Sequence, residues 1–186
     1  MVETSFAGHL LVATPSLEDP NFDRTVILLL QHDDDDGAMG LVLNRPSGLP
    51  LDDELSLWEP LAAPPSEVFM GGPVEAHIVF ALGWYTPGDT PPDGIQPLID
   101  GVGVVDLRRD PDELAELLAV RLFAGYSGWA PGQLELEIAE GAWFTVGAEV
   151  WDAATVDPDN LWRDVFRRQD DRLRLLATYP DDPSTT

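Results

Sequence analysis

The sequence predicts an α+β fold in which a mixed, barrel-like β-sheet carries three or so helices. Short apolar runs bounded by turn residues dominate the first hundred residues, and helical patterns are concentrated after residue 110. Strands and helices therefore do not alternate in the order that builds a doubly wound parallel sheet. The runs also lack strict apolar–polar alternation, which is typical of strands buried on both faces or of the inner strands of a barrel.

Strands are predicted wherever a short apolar run lies between turn residues. These runs are 10–13, 26–31, 39–43, 68–70, 78–82, 102–107 and 143–150. The acidic segment 33–37 is expected to form a hairpin loop. Asp52 is expected to cap a short helix over 52–58. The Pro/Gly-rich segment 86–97 has no periodicity and is predicted to be a loop.

The clearest helix is predicted from Pro111 to Leu122. Asp110 is a suitable N-cap, proline fits the first helical position, and acids fill the first turn. Leucines then recur at spacings of three and four residues, which predicts one buried stripe.

A second helix is predicted to start at Pro131 and to stop at Gly141. The alternation of Leu134, Leu136 and Ile138 leaves a strand open as the alternative. A third helix is expected over 158–168, with a last turn at 172–177.

The length of 186 residues favours one domain, assigned to 1–178. The segment 179–186 has too little apolar content to order itself and is predicted to be a disordered acidic tail. The N-terminus shows no secretion signal and no run is long enough to cross a membrane, so a cytoplasmic protein without membrane association is expected.

The net charge of −24 comes from 34 acids and 10 bases, and every base is arginine. Such a chain repels nucleic-acid phosphates, so direct DNA binding is not expected. The best basic cluster (Arg163, Arg167, Arg168, Arg172 and Arg174) is interrupted by aspartates. Acidic repulsion also favours a monomer. The absence of cysteine excludes thiol catalysis, disulfides and thiolate-bound zinc.

Four ordered motifs carry a resemblance to a known family. They are the stretch from Gly8 to Pro46, VFMGGPVE at 68–75, RLFAGYSGWAPGQLELEI at 121–138 and GAW at 141–143. With these motifs the chain resembles the bacterial AlgH/YqgE-like proteins up to about Leu176. The resemblance implies a mixed fold with a barrel-like sheet and interleaved subdomains. It implies no reaction and no cofactor, and the transcriptional-regulator label used for some members names no chemistry.

One candidate ligand site combines scarce arginines with a glycine turn. Arg24, Asn44 and Arg45 are expected near Gly71 and Gly72. An arginine at a strand end can clamp a carboxylate or phosphate, and a glycine pair brings backbone N–H groups close to an anion. The alternative is structural: the arginines pair with Asp19, Asp23 or Glu75.

A second group of candidates surrounds a glycine-rich corner between two predicted helices. Tyr126 and Trp129 are expected there with Gln133 and Glu137. A carboxylate beside aromatic rings can have a raised pKa suited to acid–base chemistry. The alternative is a packed corner with a solvated helix surface.

No catalytic residue is predicted. Ser127 lacks the glycine that a hydrolase nucleophile elbow requires two positions later. The aspartates of 33–36 lack the spacing of a calcium loop, and the three histidines show no paired spacing, so no metal is expected.

The sequence therefore favours a non-catalytic regulatory protein that binds a partner protein or a small ligand. The alternative is a sensor or enzyme for an anionic metabolite, with its pocket near Arg24, Arg45 and Gly71-Gly72. Direct DNA regulation is the third and least favoured hypothesis.

Overall fold

A computed structural model describes residues 5–181 of the chain. Ten strands form one curled, mainly antiparallel sheet with the shape of a half-barrel. They are β1 (His9–Ala13), β2 (Val26–Asp33), β3 (Gly37–Val42), β4 (Pro46–Pro50), β5 (Glu67–Met70), β6 (Val74–Trp84), β7 (Ile95–Ile99), β8 (Val102–Val105), β9 (Ala119–Trp129) and β10 (Trp143–Gly147).

The helices are short. The α-helices are α1 (Gln133–Ala139), α2 (Leu161–Arg167) and α3 (Asp171–Arg174), and short 3-10 helices cover Ser56–Leu61, Pro111–Glu113, Pro158–Asn160 and Leu175–Thr178. The predicted α+β class and barrel-like sheet are confirmed.

The sheet order is β10-β1-β2-β3-β9-β6-β8-β7. β5 adds to β9 in parallel, and β4 pairs with β5. β9 is the centre of this arrangement, because it pairs with β6 along one edge and with β5 and β3 along the other. The turns that connect these strands therefore meet near β9.

β1 and β2 are buried on both faces, as their continuous apolar runs predict. Leu10 and Val12 pack in the core cluster that contains α2, whereas Leu11 and Ala13 belong to a second cluster with Leu134 of α1. Helices α1 and α2 are thereby packed against β1, the N-terminal strand.

The predicted helix from Pro111 to Leu122 is wrong beyond its first turn. Asp110 does cap that turn, accepting a hydrogen bond from the amide of Asp112 at 3.0 Å. The backbone leaves helical geometry at Leu114, and β9 begins at Ala119. The strand wins because its residues find sheet partners and burial on both faces, which one leucine stripe on a helix would not provide.

Three smaller predictions also differ from the structure. Ile95–Ile99 forms β7 within the predicted loop and beyond it, and Pro46–Pro50 forms β4, which was not expected. Asp52 accepts hydrogen bonds from the amides of Glu54 and Leu55, but the helical turn begins only at Ser56.

The helix predicted after Pro131 is confirmed. Its strand alternative is wrong, because Leu136 is exposed while Leu134 is buried.

Candidate functional site

Three turn segments distant in sequence line one groove of about 300 Å³. One segment lies between β1 and β2, one follows β3, and one joins β5 to β6. The lining residues are Pro20, Asn21, Val42, Arg45, Pro46, Met70, Gly72 and Pro73. Of the predicted ligand residues, the groove brings together Arg45 and Gly72.

Arg45 supplies the only cationic side chain among these lining residues. It is half-buried, and its Nη2 donates to the backbone carbonyl of Asp23. Within residues 5–181, seven of the ten arginines lie within salt-bridge distance of a carboxylate, and Arg45 is not one of them. The charge of Arg45 is therefore not neutralised by a described carboxylate.

Gly71 and Gly72 are required by the close passage of β9. A Cβ on Gly71 would lie 2.3 Å from the carbonyl oxygen of Gly125, and one on Gly72 would lie 2.2 Å from the carbonyl carbon of Tyr126. The amide of Gly71 already donates to Ala124 O at 2.8 Å. Gly71 therefore offers no free N–H to an anion, and only Gly72 reaches the groove.

Asn44 has a structural role beside the groove. Its Nδ2 donates to Arg24 O at 2.9 Å, and its Oδ1 accepts from the amide of Val26 at 3.0 Å. The side chain is buried and does not line the groove. Asn44 thus fixes the turn that carries Arg24 to the end of β3.

Arg24 is not among the groove-lining residues. Its guanidinium lies over the indole of Trp162, with 4.8 Å between Cζ and the ring centroid. Its Nη1 lies 3.1 Å from Asp181 Oδ1, and its Nη2 donates to the carbonyl of Pro180. The expected partners of Arg24 were Asp19, Asp23 and Glu75, whereas the observed carboxylate comes from the C-terminal segment.

The segment 179–186 was predicted to be a disordered tail, but its first three residues make defined contacts with arginines. Tyr179 O accepts from Arg163 at 2.9 Å, and Pro180 and Asp181 contact Arg24. The remainder, 182–186, lies outside the described residues.

The second candidate group is organised by Glu137. Its Oε2 accepts from the indole Nε1 of Trp129 at 2.9 Å and of Trp143 at 2.8 Å, and its Oε1 accepts from Gln133 Nε2 at 2.9 Å. Both carboxylate oxygens are occupied by neighbours, which favours a structural role. The corner joins a strand to a helix, because β9 and not a helix precedes it.

Tyr126 is separated from this group by its place on β9. It packs edge-on against Phe80 with 5.9 Å between ring centroids, and it contacts the core cluster of α2. Trp129 belongs to the cluster of α1. Between them Ser127 is fully buried, and its hydroxyl donates to Gly71 O at 3.3 Å.

Glu135 of α1 contacts His32 at the end of β2. The distance from His32 Nε2 to Glu135 Oε1 is 2.5 Å. A hydrogen bond from its own backbone amide, followed by the bond to His32, lowers the pKa of Glu135 below its ordinary value of 4.5. The other ring nitrogen of His32 accepts from the amide of Phe6.

Arg121 is a buried residue whose role the sequence did not reveal. Its side chain donates to carbonyl oxygens of two loops, to Ala153 and Thr155 at 2.9 and 2.8 Å and also to Pro64. Burial lowers its pKa to about 10. The one available signal was an arginine inside the apolar run AVRLF.

The C-terminal basic cluster is largely neutralised. Four of its five arginines pair with carboxylates, namely Arg163, Arg167, Arg168 and Arg174. No group of three or more histidines and acids in the described part of the chain is placed to hold a metal ion. Between residues 5 and 181, no helix has the length and apolar character needed to cross a bilayer.

Comparisons with known proteins identify the relatives of this chain. A sequence profile of the AlgH-like family matches residues 10–174. A UPF0301 protein from Streptomyces avermitilis is 48% identical over 185 residues, covering 97% of this chain and 95% of the relative.

Two solved structures share the fold. A crystal structure of a protein from Corynebacterium diphtheriae superposes with a TM-score of 0.85 at 35% identity, covering 92% of this chain and 91% of the other. The solution structure of the AlgH protein from Pseudomonas aeruginosa gives 0.68 at 31% identity, covering 98% of both chains. The half-barrel, the ordered motifs and these matches together show that the chain belongs to the AlgH-like family.

Proposed function

We propose that this chain is a non-catalytic binding protein whose groove at Arg45 takes the anionic group of a small molecule. The observation that carries the proposal is the half-buried Arg45 without a carboxylate partner among residues 5–181. In a chain of net charge −24, most of the arginines have been paired with aspartate or glutamate. A cation left unpaired in a groove is a favourable place for a ligand carboxylate or phosphate.

The groove also sets the size and shape of the ligand. Its volume of about 300 Å³ suits a compact molecule. Pro20, Pro46, Pro73 and Met70 provide apolar walls around the guanidinium. The acidic surface repels extended polyanions, so a small anion fits this groove better than nucleic acid.

The groove is better suited to binding than to catalysis. Asn21 and Arg45 are the only lining residues with polar side chains. Acyl transfer or hydrolysis would require a nucleophile and a base within hydrogen-bond reach. Ser127 does not line the groove, and its buried hydroxyl donates to Gly71 O.

A thermal-shift panel of the carboxylates succinate and citrate tests the proposal. A ligand at about 100 times its dissociation constant adds about 2.7 kcal/mol of stability, which raises Tm measurably. We expect a shift in the wild type that is lost in Arg45→Ala. Arg172→Ala is the matched control, because Arg172 is exposed and also has no carboxylate partner among the described residues. A flat panel, or equal loss in both variants, would contradict the proposal.

A separate observation favours a partner protein as a second candidate. Trp151 is 70% exposed. Its loop is nevertheless held firmly, because Arg121 binds Ala153 O and Thr155 O and the indole of Trp84 binds Val150 O. A rigidly held exposed tryptophan is typical of a binding hot spot.

Photo-crosslinking in cells tests this second candidate. Benzoylphenylalanine at position 151 is expected to give a discrete crosslinked product. The same residue at position 136, where Leu136 is 58% exposed, is the control. No product at 151, or the same products at both positions, would count against a partner at this loop.

A further inference from the structure

Arg24 and Arg163 converge on a single carboxylate oxygen. Arg163 Nη2 donates to Asp181 Oδ1 at 2.6 Å, and Arg24 Nη1 lies 3.1 Å from the same atom. No other carboxylate among residues 5–181 lies within salt-bridge distance of either arginine. Among the described residues, two positive charges therefore share one negative charge, which leaves a net charge of +1.

The two arginines are built into the fold more firmly than the carboxylate. Their side chains are 21% and 18% exposed, whereas that of Asp181 is 83% exposed. Both guanidiniums lie over the indole of Trp162, which is fixed by its own hydrogen bond to Ala13 O at 2.8 Å. The cations are thus held in place while their partner sits at the surface.

Arg24 also has an unusual backbone. Its φ of +52° lies in the left-handed region, which a non-glycine residue rarely adopts. The hydrogen bond from Asn44 to Arg24 O holds it there. Residues with such strained backbone conformations are concentrated at binding and active sites, where the surrounding structure keeps the side chain in position.

Asp181 does not satisfy all the hydrogen-bond donors of the two arginines. Arg24 Nη1 is buried and makes no aligned hydrogen bond within the described part of the chain, although Asp181 is close by. Both arginines address Oδ1, so the carboxylate does not form a fork-to-fork pair with either. A tetrahedral dianion carries enough oxygens and charge to satisfy both donors.

We propose that Arg24 and Arg163 form a phosphate-binding site that Asp181 occupies in the free chain. The ligand is inorganic phosphate or a terminal phosphomonoester, which share the same dianionic oxygens. It takes Arg24 Nη1 and Arg163 Nη2 and displaces the carboxylate of Asp181. Exposed ion pairs are weak and exchange readily, so Asp181 acts as a displaceable internal competitor. This site is independent of the groove at Arg45.

Calorimetric titration of the full chain with inorganic phosphate, and separately with glycerol phosphate, tests this site. Asp181→Asn is expected to bind at least one of them tenfold more tightly than the wild type. Asp164→Asn removes the same charge from α2 without touching the site, because Asp164 pairs with Arg167. Whichever of the two compounds binds more tightly shows whether the site prefers free phosphate or a phosphomonoester. No gain in Asp181→Asn, or an equal gain in Asp164→Asn, would overturn the proposal.

Two further measurements locate the bound anion. The indole N–H signal of Trp162 is expected to shift on phosphate addition to Asp181→Asn, and the gain in affinity should vanish when Arg163→Gln is added. The gain should persist when Arg45→Ala is added instead. An unmoved Trp162 signal, or a gain that depends on Arg45, would place the anion elsewhere and refute the site.

Discussion

The indole of Trp143 donates a hydrogen bond to Glu137 Oε2 at 2.8 Å, joining the first residue of β10 to helix α1. The same oxygen accepts from Trp129 at the end of β9. One carboxylate thus fixes two buried tryptophans and the helix between them. The hydrogen bonds are charge-assisted, and each indole would otherwise lose its partner.

Glu137→Ala is expected to destabilise the protein by about 2–4 kcal/mol, because it leaves two buried indole N–H groups unsatisfied. Urea unfolding followed by circular dichroism measures the change. Glu140→Ala, an exposed change at the end of the same helix, should stay within about 0.5 kcal/mol. Equal effects would show that Glu137 is not a structural acceptor.

Arg121→Met is expected to cost about 3 kcal/mol or more. The methionine fills much of the volume, but it leaves the carbonyls of Ala153, Thr155 and Pro64 without their donor. The free energy of unfolding from denaturant titration measures the loss. A change of less than about 1 kcal/mol would mean that water replaces the guanidinium in this site.

Gly71→Ala is expected to destabilise by about 3 kcal/mol or prevent folding, because its Cβ would overlap the carbonyl of Gly125. Gly147→Ala is the matched control, since nothing lies within 4 Å of a Cβ there. Thermal unfolding of the two variants should differ clearly. Similar Tm values would show that the turn before β6 can move away from β9.

Glu135→Gln is expected to weaken the pH dependence of stability in acid. The pKa of Glu135 is lowered in the folded chain, so its contribution is present above its ordinary pKa of 4.5 and is lost as pH falls through the lower folded value. Urea midpoints measured from pH 6 downward should fall less steeply in the variant. Glu140→Gln is the control and should follow the wild-type curve.

Local signals predicted much of the sheet and two helices correctly, the one after Pro131 and the one predicted over 158–168. The runs around Leu10, Ile27 and Leu41 became buried strands because continuous apolar segments of that length suit little else. The helix of Leu134 was correct because Pro131 and Gly132 mark its start. The cap at Asp110 was also correct, since it depends only on neighbouring backbone.

The failures arose where distant contacts decide the outcome. Leu118 and Leu122 fit a helical stripe, and only the pairing of Leu122 with Ala81 of β6 selects the strand. β4 contains Pro46 and Pro50 and exists because β5 lies beside it. The contact of Arg24 with Asp181 depends on topology that no local pattern encodes.

The position of β1 between β2 and β10 affects how the chain is made. Synthesis from Ala13 to Trp143 takes roughly 6–26 s at about 5–20 residues per second. Throughout that interval one edge of β1 has no strand to pair with, and its apolar side chains lack the cover of α2. An open apolar edge invites aggregation. Emergence of residues 143–167 from the ribosome, which form β10 and α2, is therefore the step that protects the nascent protein.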